Sequence, residues 1–221
     1  MKQPLIIFGI AEQAQLAHYY FSKHSNYEVV AFTVDAAFMT QDEFCGLPVV
    51  AFEQVAAKYS PDSNHFFVAL GYSKLNQIRK EKYLAAKFLG YRLASYISAD
   101  ATILNEGNFG DNCFILEDNT IQPFVSIGNN VTLWSGNHVG HNSTIHDHCF
   151  IASHVVISGA VEIGESCFIG VNATLRDHIR VGAKCVIGAG TLLLSDAESE
   201  GVYIGQATDR SKAPSGRLRH I

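Results

Sequence analysis

The residues of this chain best suited to chemistry are its histidines. Six of the ten histidines lie between His138 and His178, and most of these fall in the segment Asn137–His154 (NHVGHNSTIHDHCFIASH). Imidazole titrates near neutral pH, so a histidine can take a proton from a nucleophile or ligate a metal ion. A structural or merely exposed role is our expectation for His146, His148, His154 and His178, which we place at outward positions. His141 differs because of its place in a repeat.

The repeat is six residues long. Counted from Ile97 in steps of six, sixteen of seventeen positions through Leu193 are Ile, Leu or Val, and the remaining one is Phe109. Two positions further along, only Val171 among seventeen residues is of this kind, so general hydrophobicity does not explain the pattern. A period of six fits neither an α-helix nor one long strand. It predicts three short strands per 18-residue turn, wound into a three-sided parallel β-helix from position 97 to about 198.

Small residues accompany the aliphatic ones. The residue four positions after each aliphatic one is predicted to lie inside and is mostly small, with Asn119, Asn137 and Ile179 as exceptions. Four of the five cysteines occupy this site: Cys113, Cys149, Cys167 and Cys185. No Cys-x-x-Cys pair is present, so we interpret these cysteines as a stacked column of small buried side chains. Glycines directly after the aliphatic residue, such as Gly140, predict tight corners or positive φ.

His141 lies at a predicted corner of the β-helix, two residues after the inward Val139. The residue at the same corner one turn later is Gly159, whose missing side chain leaves space beside the imidazole. The repeat therefore predicts an accessible histidine.

The first ninety residues alternate between strand and helix patterns. Apolar runs at 4–9, 27–35, 47–52 and 65–72 predict strands, and residues 12–22 and 73–89 predict helices. This alternation favours a Rossmann-like α/β domain with a short parallel sheet over residues 1–96, followed by a β-helix domain with a C-terminal tail over residues 97–221. Solenoid ends need caps and flat faces invite association, so we expect the first domain to cap one end and neighbouring subunits to cover a face.

Ligands of parallel α/β sheets bind at the carboxyl ends of the strands. These ends carry, in chain order, Gly9 with Ala11, Asp35, and Gly71 with Ser73. We predict a site for a nucleotide or a nucleotide-linked sugar, with Asp35 accepting a hydrogen bond from a ribose hydroxyl; simple tight turns at Gly9 and Gly71 are the alternative. The next glycine after Gly9 is Gly46, so the GxGxxG fingerprint is missing and an NAD-dependent reaction is not expected.

Composition limits the partners. The net charge is -5, charged residues make up 17% of the chain, and no block of Lys or Arg occurs, so neither nucleic acid nor a membrane surface is an expected partner. The apolar stretch at 5–11 is too short to span a membrane, and we expect a cytoplasmic protein. The last residues, 209–221, contain four basic side chains that could contact phosphates or form a solvated terminus.

Three segments carry a resemblance to a known family: HVGHNS at 138–143, VEIGESCFIGVNATLRDHIRVGAKCVIGAG at 161–190 and GVYIGQA at 201–207. They resemble the hexapeptide-repeat acyltransferases, especially the bacillosamine-type N-acetyltransferases and the sialic-acid O-acetyltransferase-type proteins. The likeness covers nearly the whole chain. It implies a left-handed β-helix, a homotrimer with active sites between subunits, and acetyl-CoA as co-substrate. The implied reaction acetylates the amino group of a nucleotide-linked 4-amino sugar, a step of polysaccharide biosynthesis.

The resemblance also implies residue roles. His141 corresponds to the general base of the family, and Asn142 stands where the family commonly has an acidic residue that orients this base. A second histidine, nine residues after the base in bacillosamine-type enzymes, is replaced by Phe150. The backbone N–H of Gly159 would stabilise the oxyanion.

Binding roles follow in the same way. The implied CoA contacts, in a groove between subunits, are Gly159, Val171 and Ala189. The substrate-binding residues that we assign are Gly9, Ala11, Asp35, Gly71 and Trp134. The sugar would bind the N-terminal domain and reach across toward His141.

Several alternatives stay open. Acylation of a hydroxyl and transfer of another acyl group, such as formyl, are compatible with these residues. A β-helical carbonic anhydrase-like metal enzyme would use His141 and His146, but its third histidine would lie at the position of Asn105. A non-catalytic assembly module would explain the repeat but gives the histidines no role. We assign no metal site.

Overall fold

The N-terminal part is a six-stranded sheet flanked by helices. The structure is a computed structural model that describes residues 2–210 and 215–217. The elements of this part are β1 (Gln3–Phe8), α1 (Glu12–His24), β2 (Tyr27–Val34), β3 (Glu43–Phe44), β4 (Leu47–Ala51), α2 (Val55–Lys58), β5 (His65–Val68), α3 (Gln77–Phe88) and β6 (Arg92–Leu93). The strand order is β3-β4-β2-β1-β5-β6, and every pair is parallel except β3 with β4.

Both sides of this sheet are buried, which explains the uninterrupted apolar runs of β1 and β2. On one side, α1 packs Ala14, Ala17 and Phe21 onto the sheet, and on the other α2 and α3 contribute Val55 and Tyr83. Short 3₁₀ turns follow β2 at Ala36–Phe38 and β4 at Phe52–Gln54. The sequence predicts the main strands, including β4, and the helices α1 and α3, but not β3, α2 or the two 3₁₀ turns.

The rest of the chain winds into a three-sided left-handed β-helix. The first face contains β7 (Tyr96–Ile97), β9 (Phe114–Ile115), β12 (Thr132–Leu133), β15 (Phe150–Ile151), β18 (Phe168–Ile169), β21 (Val186–Ile187) and β23 (Val202–Tyr203). The second face contains β8 (Thr102–Ile103), β10 (Thr120–Ile121), β13 (His138–Val139), β16 (Val156–Ile157), β19 (Thr174–Leu175) and β22 (Leu192–Leu193). The third face contains β11 (Ser126–Ile127), β14 (Thr144–Ile145), β17 (Glu162–Ile163) and β20 (Arg180–Val181). A short 3₁₀ turn, Ser215–Arg217, lies in the tail.

The interior is the predicted aliphatic column. The repeat residues from Ile115 through Leu193 are buried, as are the four cysteines, all of which are free thiols. Asn119 and Asn137 also lie inside, where their side-chain amides donate to corner carbonyls and their Oδ1 atoms accept from the backbone of the next turn. Buried amides are tolerated here because each finds hydrogen-bond partners.

Positive φ does not explain why glycine occupies the corner positions directly after the aliphatic residues. Gly140 and Gly164 do not have positive φ, but a Cβ at either would lie 2.6 Å from a backbone nitrogen of the next turn. The left-handed positions are instead two residues later and are filled by non-glycine residues such as Asn142 (φ 60°) and Ser166 (φ 61°). Glycine is therefore required by the close approach of successive turns.

The N-terminal part lies along the first face of the β-helix, so the expectation that it caps an end is wrong. Arg79 of α3 donates to the carbonyls of His148 and Cys149 and to the hydroxyl of Thr132. Tyr20 of α1 donates to Glu117. The apolar contact that drives this packing comes from the aromatic side chains on the outside of the first face.

The structure corrects the predicted start of α3 and narrows the expectation for His148. The helix predicted over 73–89 begins at Gln77, because Lys74, Leu75 and Asn76 all have left-handed backbones. For His148, expected at an outward position with a structural or merely exposed role, the structural role holds, because α3 covers its corner and buries it. No helix among residues 2–210 and 215–217 combines the length and the hydropathy needed to cross a bilayer. Lys212 and Arg219 of the basic tail lie outside the described residues.

Candidate active site

His141 occupies the corner that joins the second and third faces, which we call the His141 corner (residues 141–143 and 159–161). Its side chain is exposed, and its backbone N–H donates to Gln122 Oε1 at 2.8 Å. A Cβ on Gly159 would lie 2.8 Å from both Cε1 and Nε2 of the imidazole. The ring therefore lies over the Cα of Gly159, in the space that the missing side chain leaves.

Asn142 sets the orientation of the imidazole. Its Oδ1 lies 3.0 Å from Nδ1 of His141. A carbonyl oxygen only accepts hydrogen bonds, so this contact places the proton on Nδ1 and leaves the lone pair of Nε2 free. Asn142 is also left-handed, with φ 60°, a backbone that asparagine adopts more readily than most residues. Asn142 therefore both adopts the left-handed backbone of the corner and orients the imidazole of His141.

The backbone N–H of Gly159 has no acceptor among the described residues. At His141 the equivalent N–H is bound by Gln122, which lies on the preceding turn. The residue that precedes Gly159 in the same way is Gly140, which has no side chain to offer. A free donor therefore lies directly beside Nε2 of His141, as an oxyanion site requires.

The other residues predicted to contact CoA lie elsewhere on the chain. Val171 and Ala189 occupy the corner between the first and second faces, which we call the Val171 corner (residues 153, 171 and 189). Both are exposed. Gly159 is at the opposite edge of the second face, so one chain does not bring these three residues together.

A cavity of about 360 Å³ lies at the carboxyl ends of β1, β2 and β5. Four of the five predicted substrate-binding residues line it: Gly9, Ala11, Asp35 and Gly71. Gly9 has φ 127° and a Cβ there would lie 3.0 Å from the carbonyl oxygen of Ala69, so only glycine fits this turn. The cavity size is within the range of small-molecule sites, about 300–1,000 Å³.

Asp35 is paired inside this cavity. Its carboxylate accepts from Lys82 Nζ at 2.5 Å, and the ammonium lies 5.5 Å from the ring centres of both Phe8 and Phe52. The cavity thus presents a carboxylate and a cation together, which suits a ligand with hydroxyl and phosphate groups.

Trp134 lies outside this cavity. It lines a neighbouring groove of about 300 Å³ between the first face and the N-terminal part, and Val171 lines the same groove. Gln13 lines both spaces, so they adjoin each other. The structure therefore brings Trp134 close to the predicted substrate residues and leaves His141 at the corner away from them.

Three other histidines of the β-helix, His146, His154 and His178, lie outside the His141 corner. His146 contacts Glu162 at 3.2 Å on the third face, and the ring of His154 lies over Gly136. His178 is highly exposed beside Asp177. Within the described part of one chain, no three His, Cys, Asp or Glu side chains come together in a way that could hold a metal ion.

Sequence patterns do not single out Gln122, Lys82 or Arg79. Gln122 could have been found by counting one turn of eighteen residues back from Gly140, the residue that precedes His141. Lys82 and Arg79 lie on a helix whose position relative to the β-helix no local pattern encodes. Their partners are 47 and 53 to 70 residues distant in the chain.

Comparisons with known proteins agree on the repeat and the fold. Residues 125–159 and 160–195 match the family model "Bacterial transferase hexapeptide (six repeats)". A search of the curated proteins finds no significant match.

Solved structures match over nearly the whole chain. The acetyltransferase domain of PglB from Neisseria gonorrhoeae, in complex with acetyl coenzyme A, is 22% identical with a TM-score of 0.82, covering 93% of this chain and 97% of its own. A perosamine N-acetyltransferase variant from Caulobacter crescentus, in complex with CoA and GDP-perosamine, has the same identity and TM-score, covering 91% and 93%. WeeI from Acinetobacter baumannii is 17% identical with a TM-score of 0.77, covering 92% and 97%. The chain therefore carries the bacterial transferase hexapeptide repeat and has the two-part fold of these proteins.

Proposed function

We propose that this chain is an acetyl-CoA-dependent acetyltransferase that acylates the amino group of a nucleotide-linked 4-amino sugar, with His141 as the general base. The observation that carries the proposal is the arrangement at the His141 corner: an Nε2 beside Gly159, an Nδ1 held by Asn142, and a Gly159 N–H that has no acceptor among the described residues. The acetyl-CoA and the GDP-linked amino sugar bound by two proteins of the same fold support the choice of substrates.

The proposed reaction is a direct attack. Nε2 of His141 takes a proton from the acceptor nitrogen as it forms a bond to the thioester carbonyl carbon. The carbonyl oxygen gains negative charge and accepts from the N–H of Gly159. Asn142 holds the ring so that the proton moves to Nε2 while Nδ1 stays protonated. The CoA thiolate leaves, and the nitrogen keeps the acetyl group.

The proposal includes a homotrimer with the active sites between subunits. We call the cavity at the carboxyl ends of β1, β2 and β5 the nucleotide-type cavity. In one chain it is lined by the N-terminal part and adjoins the groove on the first face, whereas His141 lies between the second and third faces. A neighbouring chain would supply the missing half. We also assign the two functions to two domains, residues 1–96 for the nucleotide and 97–221 for acyl transfer, acting in the cytoplasm.

The test replaces the base. His141→Ala should lower kcat by roughly 10²- to 10⁴-fold while the oligomer stays intact, because removing a general base forfeits about this factor. Thiol release from acetyl-CoA is measured with UDP-, GDP- and dTDP-linked amino sugars and with their hydroxyl counterparts, so the panel also tells N- from O-acylation.

The matched control is His146→Ala, since His146 is exposed on the third face and paired only with Glu162. It should keep the wild-type rate. An unchanged rate in His141→Ala, or equal losses in both variants, would remove His141 from the mechanism. Light scattering after gel filtration checks the oligomeric state.

A further inference from the structure

The groove that contains Trp134 is lined mainly by aromatic side chains. We call it the aromatic groove; its rings are those of Tyr72, Trp134, Phe150 and Phe168, with Gln13 and Ser153 as polar neighbours. Its volume is about 300 Å³. The rings belong to two parts of the chain, since Tyr72 follows β5 and the other three project from the first face of the β-helix.

The rings form one continuous platform. Phe150 and Phe168 stack with centroids 6.0 Å apart, and Trp134 stacks on Phe150 at 5.9 Å. The ring of Tyr72 crosses them, with centroids 5.0 Å from Phe150 and 4.6 Å from Phe168. Tyr72 is 52% exposed, Trp134 and Phe168 are half-buried and Phe150 is buried, so the apolar surface open to a ligand consists of Tyr72 and the accessible edges of Trp134 and Phe168.

The groove continues the nucleotide-type cavity. Gln13 lines both spaces. Gly71 and Ser73 line the cavity, and Tyr72, which lies between them in the chain, lines the groove. A group attached to a diphosphate in the cavity can therefore enter the groove directly.

The wall formed by Tyr72 is held rigidly. Lys74, Leu75 and Asn76 have φ values of 49°, 51° and 64°, a run that non-glycine residues rarely adopt and that costs free energy unless other contacts hold it. Asn76 is fully buried and donates to the carbonyls of Ser166 and Cys167, while its Oδ1 accepts from Arg79. The strained turn is thus anchored to the β-helix and fixes the loop that carries Tyr72.

We propose that the aromatic groove is the subsite for the pyranose ring of the nucleotide-linked substrate, and that it selects sugars without a carboxylate. The inference rests on the proposed function. The C–H face of a pyranose is apolar and can lie against aromatic rings, while Gln13 and Ser153 can bind its hydroxyl groups. Among the residues that the structure describes, no Lys, Arg, Asp or Glu lines the groove, so a sugar carboxylate would be desolvated there without a counter-ion.

The experiment uses the single tryptophan of the chain, Trp134, as a reporter inside the groove. Tryptophan emission of the intact protein is recorded with GDP, with UDP, with the corresponding nucleotide-linked 4-amino sugars, with a nucleotide-linked uronic acid, and with CoA. Binding itself is measured by calorimetry. The amino sugars should shift the emission, whereas the nucleoside diphosphates and the uronic acid should bind without shifting it.

Tyr72→Ala tests the platform. It should weaken the binding of the nucleotide-linked amino sugar roughly tenfold and leave the nucleoside diphosphate within about twofold, because only the stacking surface is lost. Tyr19→Ala is the matched control: Tyr19 is 54% exposed on α1, close to the 52% of Tyr72, and lines neither space. It should change neither affinity.

The outcomes separate the two proposals. If an amino sugar is acetylated but shifts Trp134 emission no more than its nucleoside diphosphate does, the groove proposal is overturned and the proposed function stands. If no nucleotide sugar binds and none is acetylated, both are overturned. Equal affinity losses for sugar and diphosphate in Tyr72→Ala would mean a structural role only.

Discussion

His148 contributes to the stability of the fold and lies outside the proposed active site. It is only 4% exposed, and its Nδ1 accepts from Asn130 Nδ2 at 3.0 Å. The amide of Asn112 donates in turn to Asn130, so the three residues form one hydrogen-bonded column on stacked corners. Burial, reinforced by the nearby ammonium of Lys80, lowers the pKa of His148 to about 4. The column therefore requires a neutral imidazole.

This predicts a pH-dependent stability. Between pH 6.5, the ordinary pKa of histidine, and about 4, the unfolded chain binds a proton at His148 that the folded chain does not. The free energy of unfolding should therefore fall as the pH falls through this window, with His148 contributing on the order of 2–3 kcal/mol of the loss. His148→Asn, which extends the column of amides, should make the fall shallower. Urea unfolding at pH 7, 5.5 and 4.5 measures the slope.

The exposed His178 supplies the control for that measurement. Its side chain is 75% exposed, so His178→Asn should leave the slope as it is in the wild type. A slope in His148→Asn equal to that of the wild type would show that other groups carry the acid sensitivity.

At the scale of elements, the two corner glycines allow a matched comparison. A Cβ on Gly140 would lie 2.6 Å from the backbone nitrogen of Gly159, and a Cβ on Gly164 would lie 2.6 Å from that of Ala183. Both changes force two turns apart, which costs about 1–3 kcal/mol. Only Gly140→Ala moves the N–H beside His141, so it alone should also lower kcat, by roughly 10- to 100-fold. Urea unfolding and thiol release measure the two effects. Equal kcat losses in both variants would mean that general loosening of the β-helix is responsible.

The β-helix and its corners can be predicted from the sequence because each turn contacts only its neighbours. The six-residue period locates every inward residue, and the eighteen-residue period locates Gly159 beside His141. The placement of the N-terminal part cannot be obtained in this way. It depends on contacts such as Arg79 with Thr132 and the buried Asn76 with Ser166, which join residues far apart in the chain. The left-handed backbone of Lys74, Leu75 and Asn76 is held by those contacts, and no pattern in the neighbouring sequence predicts it.

At the scale of the whole molecule, the three faces of the β-helix differ in the surfaces that they offer to a neighbouring chain. The N-terminal part covers the first face, and the third carries Glu162 and Arg180. The outward residues within the strands of the second face include no Lys, Arg, Asp or Glu, although the exposed Arg176 follows directly after β19, and Leu192 is 62% exposed. If the second faces of three chains surround a threefold axis, the His141 corner of each chain meets the Val171 corner and the aromatic groove of the next. This arrangement unites the predicted residues that one chain keeps apart.

The arrangement predicts complementation between two inactive chains. His141→Ala removes the base, and Gly71→Trp fills the nucleotide-type cavity at a backbone position that has room for a side chain. Each variant alone should be inactive, but co-assembly in equal amounts should restore about a quarter of the wild-type sites, because a site works when its base and its cavity come from the two different variants, each chosen with a chance of about one half. Thiol release from co-expressed and co-purified chains measures the recovery. Mixing His141→Ala with the double variant His141→Ala/Gly71→Trp should restore nothing, since no chain then carries the base. If each chain instead held a complete site, the first mixture would be as inactive as the second.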